Sequence, residues 1–143
     1  MSSRAIGAAA VIVDGVGKVL LVKHSYGRLN WELPGGGSEA NESAQETAVR
    51  EVAEETGLRV SVDRLTGVYY EGKSGVHHFV FACSVGESAV PRPDGIEIAE
   101  CNYWSPDALP RPISDFTVRR ISDALAGTSP TTIVAIPPRR WIE

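Results

Sequence analysis

The stretch GGSEANESAQETAVREVAEETGL, residues 36–58, contains the most clearly delimited helix of the chain, preceded by a glycine-rich loop. Ser43 and Glu46 have the spacing of a capping box, in which two side chains satisfy the first free amides of a helix. Gly57 is the residue type that most often follows the last turn. We therefore predict a helix over residues 43–56.

This helix gathers three acidic side chains, Glu51, Glu54 and Glu55, at spacings i, i+3 and i+4. Like charges at these spacings destabilise a helix by roughly 0.2–0.5 kcal/mol per pair, and these lie at the negative end of the helix dipole. A divalent cation would make the cluster favourable, because Mg²⁺ and Mn²⁺ prefer carboxylate oxygens. Helix physics alone leaves a solvated acidic face equally open.

Three consecutive glycines, residues 35–37, predict a loop whose backbone approaches another group closely or adopts a positive φ. Alone, such a run is typical of a tight turn. Loop and helix together, however, obey the pattern G-x5-E-x7-R-E-U-x-E-E-x-G-U without exception, where U is aliphatic. The defined positions are Gly36, Glu42, Arg50, Glu51, Val52, Glu54, Glu55, Gly57 and Leu58.

This pattern is the Nudix box, and the chain resembles the Nudix hydrolases across all of it. WELPGG at 31–36 and YWSPDALP at 103–110 are also similar to the family, whereas Asn41 stands where many members carry glycine. The resemblance implies one α/β domain over residues 1–143, an α/β/α sandwich with a mixed β-sheet between helices. It also implies metal-dependent cleavage of a phosphoanhydride bond, by water attack at phosphorus, in a nucleoside diphosphate linked to another group. Nucleotide-pool and nucleotide-sugar compounds are such substrates.

The resemblance also implies roles for residues of the box, carried over position by position. The cofactor is expected to be Mg²⁺, with Mn²⁺ as a substitute. Its expected ligands are the Gly35 carbonyl and the carboxylates of Glu51, Glu54 and Glu55. Arg50 is expected to orient these carboxylates for catalysis by ion pairing. The residues with structural roles in the motif are Gly36, Glu42 and Gly57.

The general base is not determined by the box, since family members use either a helix glutamate or one from a later loop. Glu54 is the helix candidate, and Glu97 and Glu100 are the loop candidates. We favour Glu97, as base and as a further carboxylate of the metal cluster, because it lies nearer the loop at 91–95. An ordinary polar loop is the alternative for both loop residues.

Substrate contacts are assigned to Arg28, Tyr70 and His78. Arg28 offers a guanidinium fork for phosphate, with a solvated charge as the alternative. His77 and His78 alternate along a predicted strand, so at most one of them faces a pocket, and Tyr69 and Tyr70 carry the same ambiguity.

The remaining elements follow from hydrophobic runs and turn residues. Two apolar runs joined through DGVGK predict a hairpin over 5–25, and the next segment, 31–42, reads as a loop. The further predicted elements are an antiparallel strand pair (58–72 and 75–86), a loop (91–95), a short strand (near 99–104), a helix (about 115–126) and a last strand (131–137).

A net charge of −4 and a pI near 5.4 argue against a stable nucleic-acid partner, so the expected partner is a small nucleotide derivative. No apolar run reaches the length of a membrane span. Cys83 and Cys101 have no metal-ligand spacing and are expected to be small buried hydrophobes in a cytoplasmic protein. The oligomeric state stays open, with a homodimer as one option. Two alternatives to the hydrolase are a catalytically silent nucleotide sensor and a diphosphate isomerase relative.

Overall fold

The computed structural model describes residues 5–86, 88–127 and 131–143. In this part of the chain, two helices and two sheets form the fold. The helices are α1 (Ala44–Thr56) and α2 (Asp115–Leu125). The strands are β1 (Ile6–Ile12), β2 (Val19–His24), β3 (Trp31–Glu32), β4 (Gly35–Gly37), β5 (Ser61–Glu71), β6 (Val76–Ser84), β7 (Ile98–Trp104), β8 (Ile113–Ser114), β9 (Thr132–Ile136) and β10 (Trp141–Ile142).

Both sheets have five strands and mix parallel with antiparallel pairs. The first has the order β4-β1-β6-β5-β9, in which β1 runs parallel to β6 and antiparallel to β4. The second has the order β10-β8-β3-β2-β7. The chain is therefore an α/β protein with mixed sheets, as the sequence predicted.

Strand β1 lies between the two helices, and its side chains alternate between two cores. Ala8, Ala10 and Ile12 belong to the core that includes the apolar side of α1. Ala9 and Val11 belong to the core that includes the apolar side of α2. Because successive strand residues point to opposite faces, helices cover both faces of this sheet. The predicted sandwich is confirmed.

Helix α1 begins and ends where its sequence signals lie. The Ser43 hydroxyl accepts from the Glu46 amide, and the Glu46 carboxylate accepts from the Ser43 amide, which completes the predicted capping box. Gly57 closes the helix in the left-handed conformation, with φ of 74°. Neither α1, with 13 residues, nor α2, with 11, is long and apolar enough to span a membrane.

The predicted hairpin over 5–25 is wrong. Strands β1 and β2 belong to different sheets, and among the described residues a single bridge between Val13 and Val19 joins their ends. The apolar runs resemble a hairpin because both strands are buried on both faces, each pairing with other strands on either side. The short strands β3 and β4, within the predicted loop 31–42, supply two of those pairs. The strand pair β5–β6, helix α2 and strand β9 are confirmed.

Candidate active site

A cavity of about 490 Å³ opens beside β1, the glycine run of β4 and the end of β2. Two groups of charged side chains line it. We call Glu51, Glu55 and Glu97 the acidic part, and Arg120 and Arg139 the arginine part; Glu32 also lines the cavity. The predicted site residues Gly35, Glu51, Glu55, Glu97 and His78 are thus brought together in one cavity.

The acidic part is built on α1, where Glu51 and Glu55 stand one turn apart. Glu55 is only 8% exposed, and its Oε1 accepts from the Gly35 amide at 3.1 Å. Burial raises the pKa of Glu55 to about 8; the Gly35 amide opposes this shift, and the charges of nearby glutamates add to it. Burial likewise raises the pKa of Glu51. Both carboxylates are therefore desolvated without full compensation.

Glu54 lies outside this cavity. On an α-helix each residue advances by about 100°, so positions i and i+4 differ by about 40°, while i+3 falls on the other side of i. The Glu54 side chain is 57% exposed and accepts from Nη1 of Arg50 at 3.1 Å. Of the three helix acids, Glu51 and Glu55 therefore line the cavity, whereas Glu54 does not.

Arg50 links the helix acids to the preceding loop. Its Nε and Nη2 donate to the two oxygens of Glu42 at 2.7 and 3.0 Å, and Nη2 also donates to the Gly37 carbonyl. Nη1 donates to Glu51 at 3.0 Å. Hydrogen bonding to Arg50 lowers the pKa of Glu42 to about 2. Arg50 therefore ties Glu51 of the helix to Glu42 and to the Gly37 carbonyl of the loop.

The glycines of the loop permit close approach of backbone to side chain. A Cβ on Gly36 would lie 2.5 Å from an oxygen of Glu51, and one on Gly35 would collide with the Ala8 carbonyl. Neither position needs a positive φ, because both lie in β4. Asn41, by contrast, adopts a φ of 65°, which asparagine tolerates better than most residues.

Glu97 reaches the cavity from a tight loop after Asp94. The Asp94 Oδ1 accepts from the amides of Ile96 at 2.8 Å and Ile98 at 2.9 Å. Ser25 donates its amide to the Glu97 carbonyl and its hydroxyl to the Ile96 carbonyl. Glu100, the other loop candidate, does not line the cavity and lies 3.7 Å from Nζ of Lys23.

The arginine part was not found from the sequence. Nη2 of Arg120 donates to Oε1 of Glu32 at 2.6 Å and to the Thr117 hydroxyl at 3.0 Å. Arg120 is one helical turn after Phe116, on the apolar side of α2. A charged residue within the apolar stripe of a predicted helix was the sequence pattern that could have marked it as a site residue. Arg139 follows the last predicted strand, and no sequence pattern marked it as a site residue.

Two predicted substrate residues lie away from the cavity lining. Arg28 is 3.6 Å from Glu143 and stacks over the Trp141 ring at 4.6 Å. Tyr70 packs against His77 with ring centroids 4.7 Å apart. Because side chains alternate along β6, His77 and His78 take opposite faces, and only His78 lines the cavity.

The sequence model of the NUDIX domain family matches residues 3–125 of the chain. The chain belongs to the Nudix family. As a Nudix hydrolase it acts on phosphorus-containing anhydrides, and the cavity holds the box residues Gly36, Glu51 and Glu55.

Relatives and solved structures agree with this membership. A MutT-like protein of Streptomyces ambofaciens is 35% identical over 125 residues, covering 87% of this chain and 79% of the relative. A Bacillus subtilis (strain 168) protein provisionally named an 8-oxo-dGTP diphosphatase is 34% identical over 128 residues, covering 89% and 84%. An ADP-ribose pyrophosphatase from Streptococcus suis 89-1591 shares the fold, with a TM-score of 0.74 at 23% identity over 94% of this chain and 100% of that one.

The acidic part of this Nudix cavity fits a divalent cation. In the described ranges, no three acidic, histidine or cysteine side chains are grouped closely enough to hold a metal ion by themselves. Mg²⁺ commonly uses only one or two carboxylates and completes its shell with water and substrate phosphates. The desolvated pair Glu51 and Glu55, with raised pKa values and Glu97 nearby, is a donor set of that kind.

Proposed function

We propose that this Nudix hydrolase is metal-dependent and cleaves a phosphoanhydride bond in a nucleoside diphosphate linked to another group. The observation that carries the proposal is the pair of desolvated carboxylates, Glu51 and Glu55, in a cavity that Glu97 also lines. Such a pair favours a bound cation over an empty site, because opposite charge within a few ångströms offsets the desolvation of a carboxylate. Mg²⁺ is the proposed ion, with Mn²⁺ as a substitute.

Each residue of the acidic part has a role in this mechanism. The divalent ion, when bound, neutralises the charge of the diphosphate and makes a water molecule more acidic. Glu51 and Glu55 would hold the ion, with the Gly35 carbonyl and Glu97 as further proposed ligands, while Arg50 orients Glu51. Glu54 would join them only by exchanging its bond to Arg50 for the ion. Glu97 is the proposed base that takes the proton of the attacking water, and its loop position leaves it free of bonds to Arg50.

The charge of the cavity supports a nucleotide over a more heavily phosphorylated substrate. The lining contains two more carboxylates than guanidiniums. A diphosphate can be accommodated with divalent cations, whereas several further phosphates would meet uncompensated negative charge. The provisional name of the Bacillus subtilis relative also supports a nucleotide-pool substrate.

The test is phosphate or pyrophosphate release from a panel of nucleoside triphosphates, dinucleoside polyphosphates and nucleotide sugars. We expect turnover with Mg²⁺ or Mn²⁺, its loss in EDTA, and its loss in Glu55→Gln. Glu100→Gln is the matched control, because Glu100 lies outside the cavity. Undiminished turnover in metal-free buffer would contradict the mechanism, and binding without turnover across the panel would favour a nucleotide sensor.

We also propose that the protein is located in the cytoplasm. Cys83 and Cys101 are both buried free thiols, which is compatible with a reducing compartment. Burial raises the pKa of Cys83 to about 12 and that of Cys101 to about 11, so neither is a reactive thiolate.

A further inference from the structure

His24 and Tyr26 form a stack of two rings at the cavity. Their ring centroids lie 4.9 Å apart with an angle of 8° between the two planes, so the rings are parallel. Both residues line the cavity, and His24 is the last residue of β2. His24 is half-buried, whereas Tyr26 is 55% exposed. One face of the Tyr26 ring is therefore covered by His24, and the other is open.

The turn after β2 holds the backbone around this stack. The His24 amide donates to the Asn30 carbonyl at 2.9 Å, and the Leu29 amide donates to the Tyr26 carbonyl at 3.1 Å. Leu29 adopts a φ of 54°, which is uncommon for a residue with a bulky side chain. Backbone conformations of this kind persist only where the surrounding structure determines them. The turn that carries Tyr26 is therefore specified by its own contacts.

Ser25, between the two rings in sequence, joins this turn to the segment of Glu97. Its amide donates to the Glu97 carbonyl at 2.9 Å, and its hydroxyl donates to the Ile96 carbonyl. Burial raises the pKa of the Tyr26 hydroxyl, and the negative charges of Glu97 and Glu55 add to this shift. Tyr26 therefore lies close to the acidic part, where the proposed diphosphate binds.

The guanidinium groups of the arginine part are already engaged with other protein side chains. Nε and Nη2 of Arg139 donate to Glu71. Nη2 of Arg120 donates to Glu32 and to the Thr117 hydroxyl. The open face of Tyr26 needs no such exchange of partners to contact a ligand, because an aromatic ring can stack on it directly.

We propose that the His24–Tyr26 stack is the subsite for a planar aromatic ring of the substrate, which lies on the open face of Tyr26 while the diphosphate lies at the acidic part. This inference rests on the proposed function, which supplies the diphosphate. Every nucleobase has a π-face, so a stacking subsite selects for a base without selecting one particular base. Tyr26 is then a specificity-determining residue that separates nucleotides from sugar phosphates without a base.

The experiment measures binding without catalysis, by isothermal titration calorimetry in the presence of Mg²⁺. The probes are AMP, UMP and ribose 5-phosphate, which share a sugar phosphate, differ in the base and contain no phosphoanhydride bond. For the parent chain we expect both nucleotides to bind about tenfold more tightly than ribose 5-phosphate, as is usual for base–aromatic stacking. Tyr26→Leu should weaken both nucleotides about tenfold and leave ribose 5-phosphate unchanged. Tyr26→Phe, which keeps the ring and removes the hydroxyl, should bind as the parent does.

Tyr70 offers a matched control. It packs against His77 with ring centroids 4.7 Å apart and is 38% exposed, but it lies outside the cavity lining. Tyr70→Leu thus removes a tyrosine from a second tyrosine–histidine pair, and all three affinities should stay at the parent values.

Four results would overturn the inference. The first is a parent chain that binds the three probes equally or binds none of them at millimolar concentration. The second is an unchanged preference for nucleotides in Tyr26→Leu. The third is an equal loss in Tyr26→Phe, which would assign the contact to the hydroxyl, and the fourth is an equal loss in Tyr70→Leu. Since Tyr26 is exposed, its substitutions leave the buried cores untouched.

The same experiment separates this inference from the proposed function. Glu55→Gln should lose hydrolysis but keep the preference for AMP over ribose 5-phosphate, because that preference depends on the base. A parent chain that shows the preference yet hydrolyses nothing in the panel would refute the hydrolase mechanism and leave the stacking subsite standing. A parent chain that hydrolyses nucleotides with Mg²⁺ but lacks the preference would refute the subsite alone.

Discussion

At the scale of single residues, Glu55 combines near-complete burial with a charge that no basic side chain pairs with in the described part of the chain. Its carboxylate accepts one amide hydrogen bond, from Gly35, which offsets only part of the desolvation. Glu42, five residues after the last loop glycine, is the opposite case, with two bonds to one guanidinium. The motif therefore separates an acid that is paired with a guanidinium from one whose desolvation is only partly offset.

The free energy of unfolding should depend on pH because burial desolvates the Glu55 carboxylate in the folded state. With a folded pKa of about 8 against an ordinary value of 4.5, the folded protein holds a proton that the unfolded chain releases between these values. Stability from this group is therefore lost as pH rises through this window, with a slope of up to about 1.4 kcal/mol per pH unit. Glu55→Gln should remove that slope in urea unfolding at pH 5.5 and 8.5 in EDTA. Glu54→Gln, at an exposed site, is the control that should keep it.

Glu97→Gln should lower kcat by roughly 10²–10⁴-fold with little change in KM, as expected for loss of a general base. Glu100→Gln, whose side chain pairs with Lys23, should be mild. The measurement is kcat and KM across pH, with loss of the acidic limb in the Glu97 variant supporting its role. A parent-like rate and profile in Glu97→Gln would place the base on the helix, at Glu54.

At the scale of elements, the loop carrying Glu97 is more ordered than a Pro- and Gly-rich sequence suggests. Asp94 accepts amides from both sides of Glu97, and Ser25 anchors the same segment from the end of β2. An aspartate that bonds amides two residues on is a common turn device. The backbone on both sides of Glu97 is therefore held by hydrogen bonds.

Asp94 is expected to act through Glu97. Asp94→Ala should lower kcat about as much as Glu97→Gln, because the turn that aims Glu97 loses its acceptor. Asp94→Asn, which keeps an acceptor oxygen, should restore most of the rate. The check is a double-mutant comparison: adding Asp94→Ala to Glu97→Gln should cost little more. If the two substitutions instead lower kcat independently, so that their effects multiply in the double variant, Asp94 does not act through Glu97.

Local signals explain which elements could be predicted. Helix α1 was predictable because its caps, Ser43 and Gly57, are encoded by neighbours in sequence. The assignment of β1 and β2 to different sheets was not, because strand partners are chosen by contacts distant along the chain. For the same reason the box revealed Glu51 and Glu55, whereas Arg120 and Arg139 join the cavity only through tertiary packing.

At the scale of the whole molecule, the cavity is assembled from parts of both sheets and both helices. Glu51 and Glu55 come from α1, Arg120 from α2, and Glu97 from the segment before β7. Strand β1 contributes alternate side chains to the two cores, one of which includes residues of α1 and the other residues of α2. A ligand that bridges these parts should stabilise the fold as a unit.

Mg²⁺ should raise the melting temperature of the parent chain by mass action, because the folded state alone assembles Glu51 with Glu55. At a hundredfold excess over Kd the gain is about 2.7 kcal/mol. Differential scanning fluorimetry with Mg²⁺ and EDTA measures it, with Glu55→Gln as the variant that should lose the response. An equal response in that variant would move the cation site away from α1.

Arg139 lies beyond residue 125, where the family match ends. Reciprocal bonds between Arg140 and Asp115, and the pairing of β10 with β8, fasten this C-terminal segment to the start of α2. The box acids and Arg139 therefore lie in different stretches of the chain, although they line one cavity. A comparison that is limited to the box leaves out the contribution of this C-terminal segment to the cavity wall.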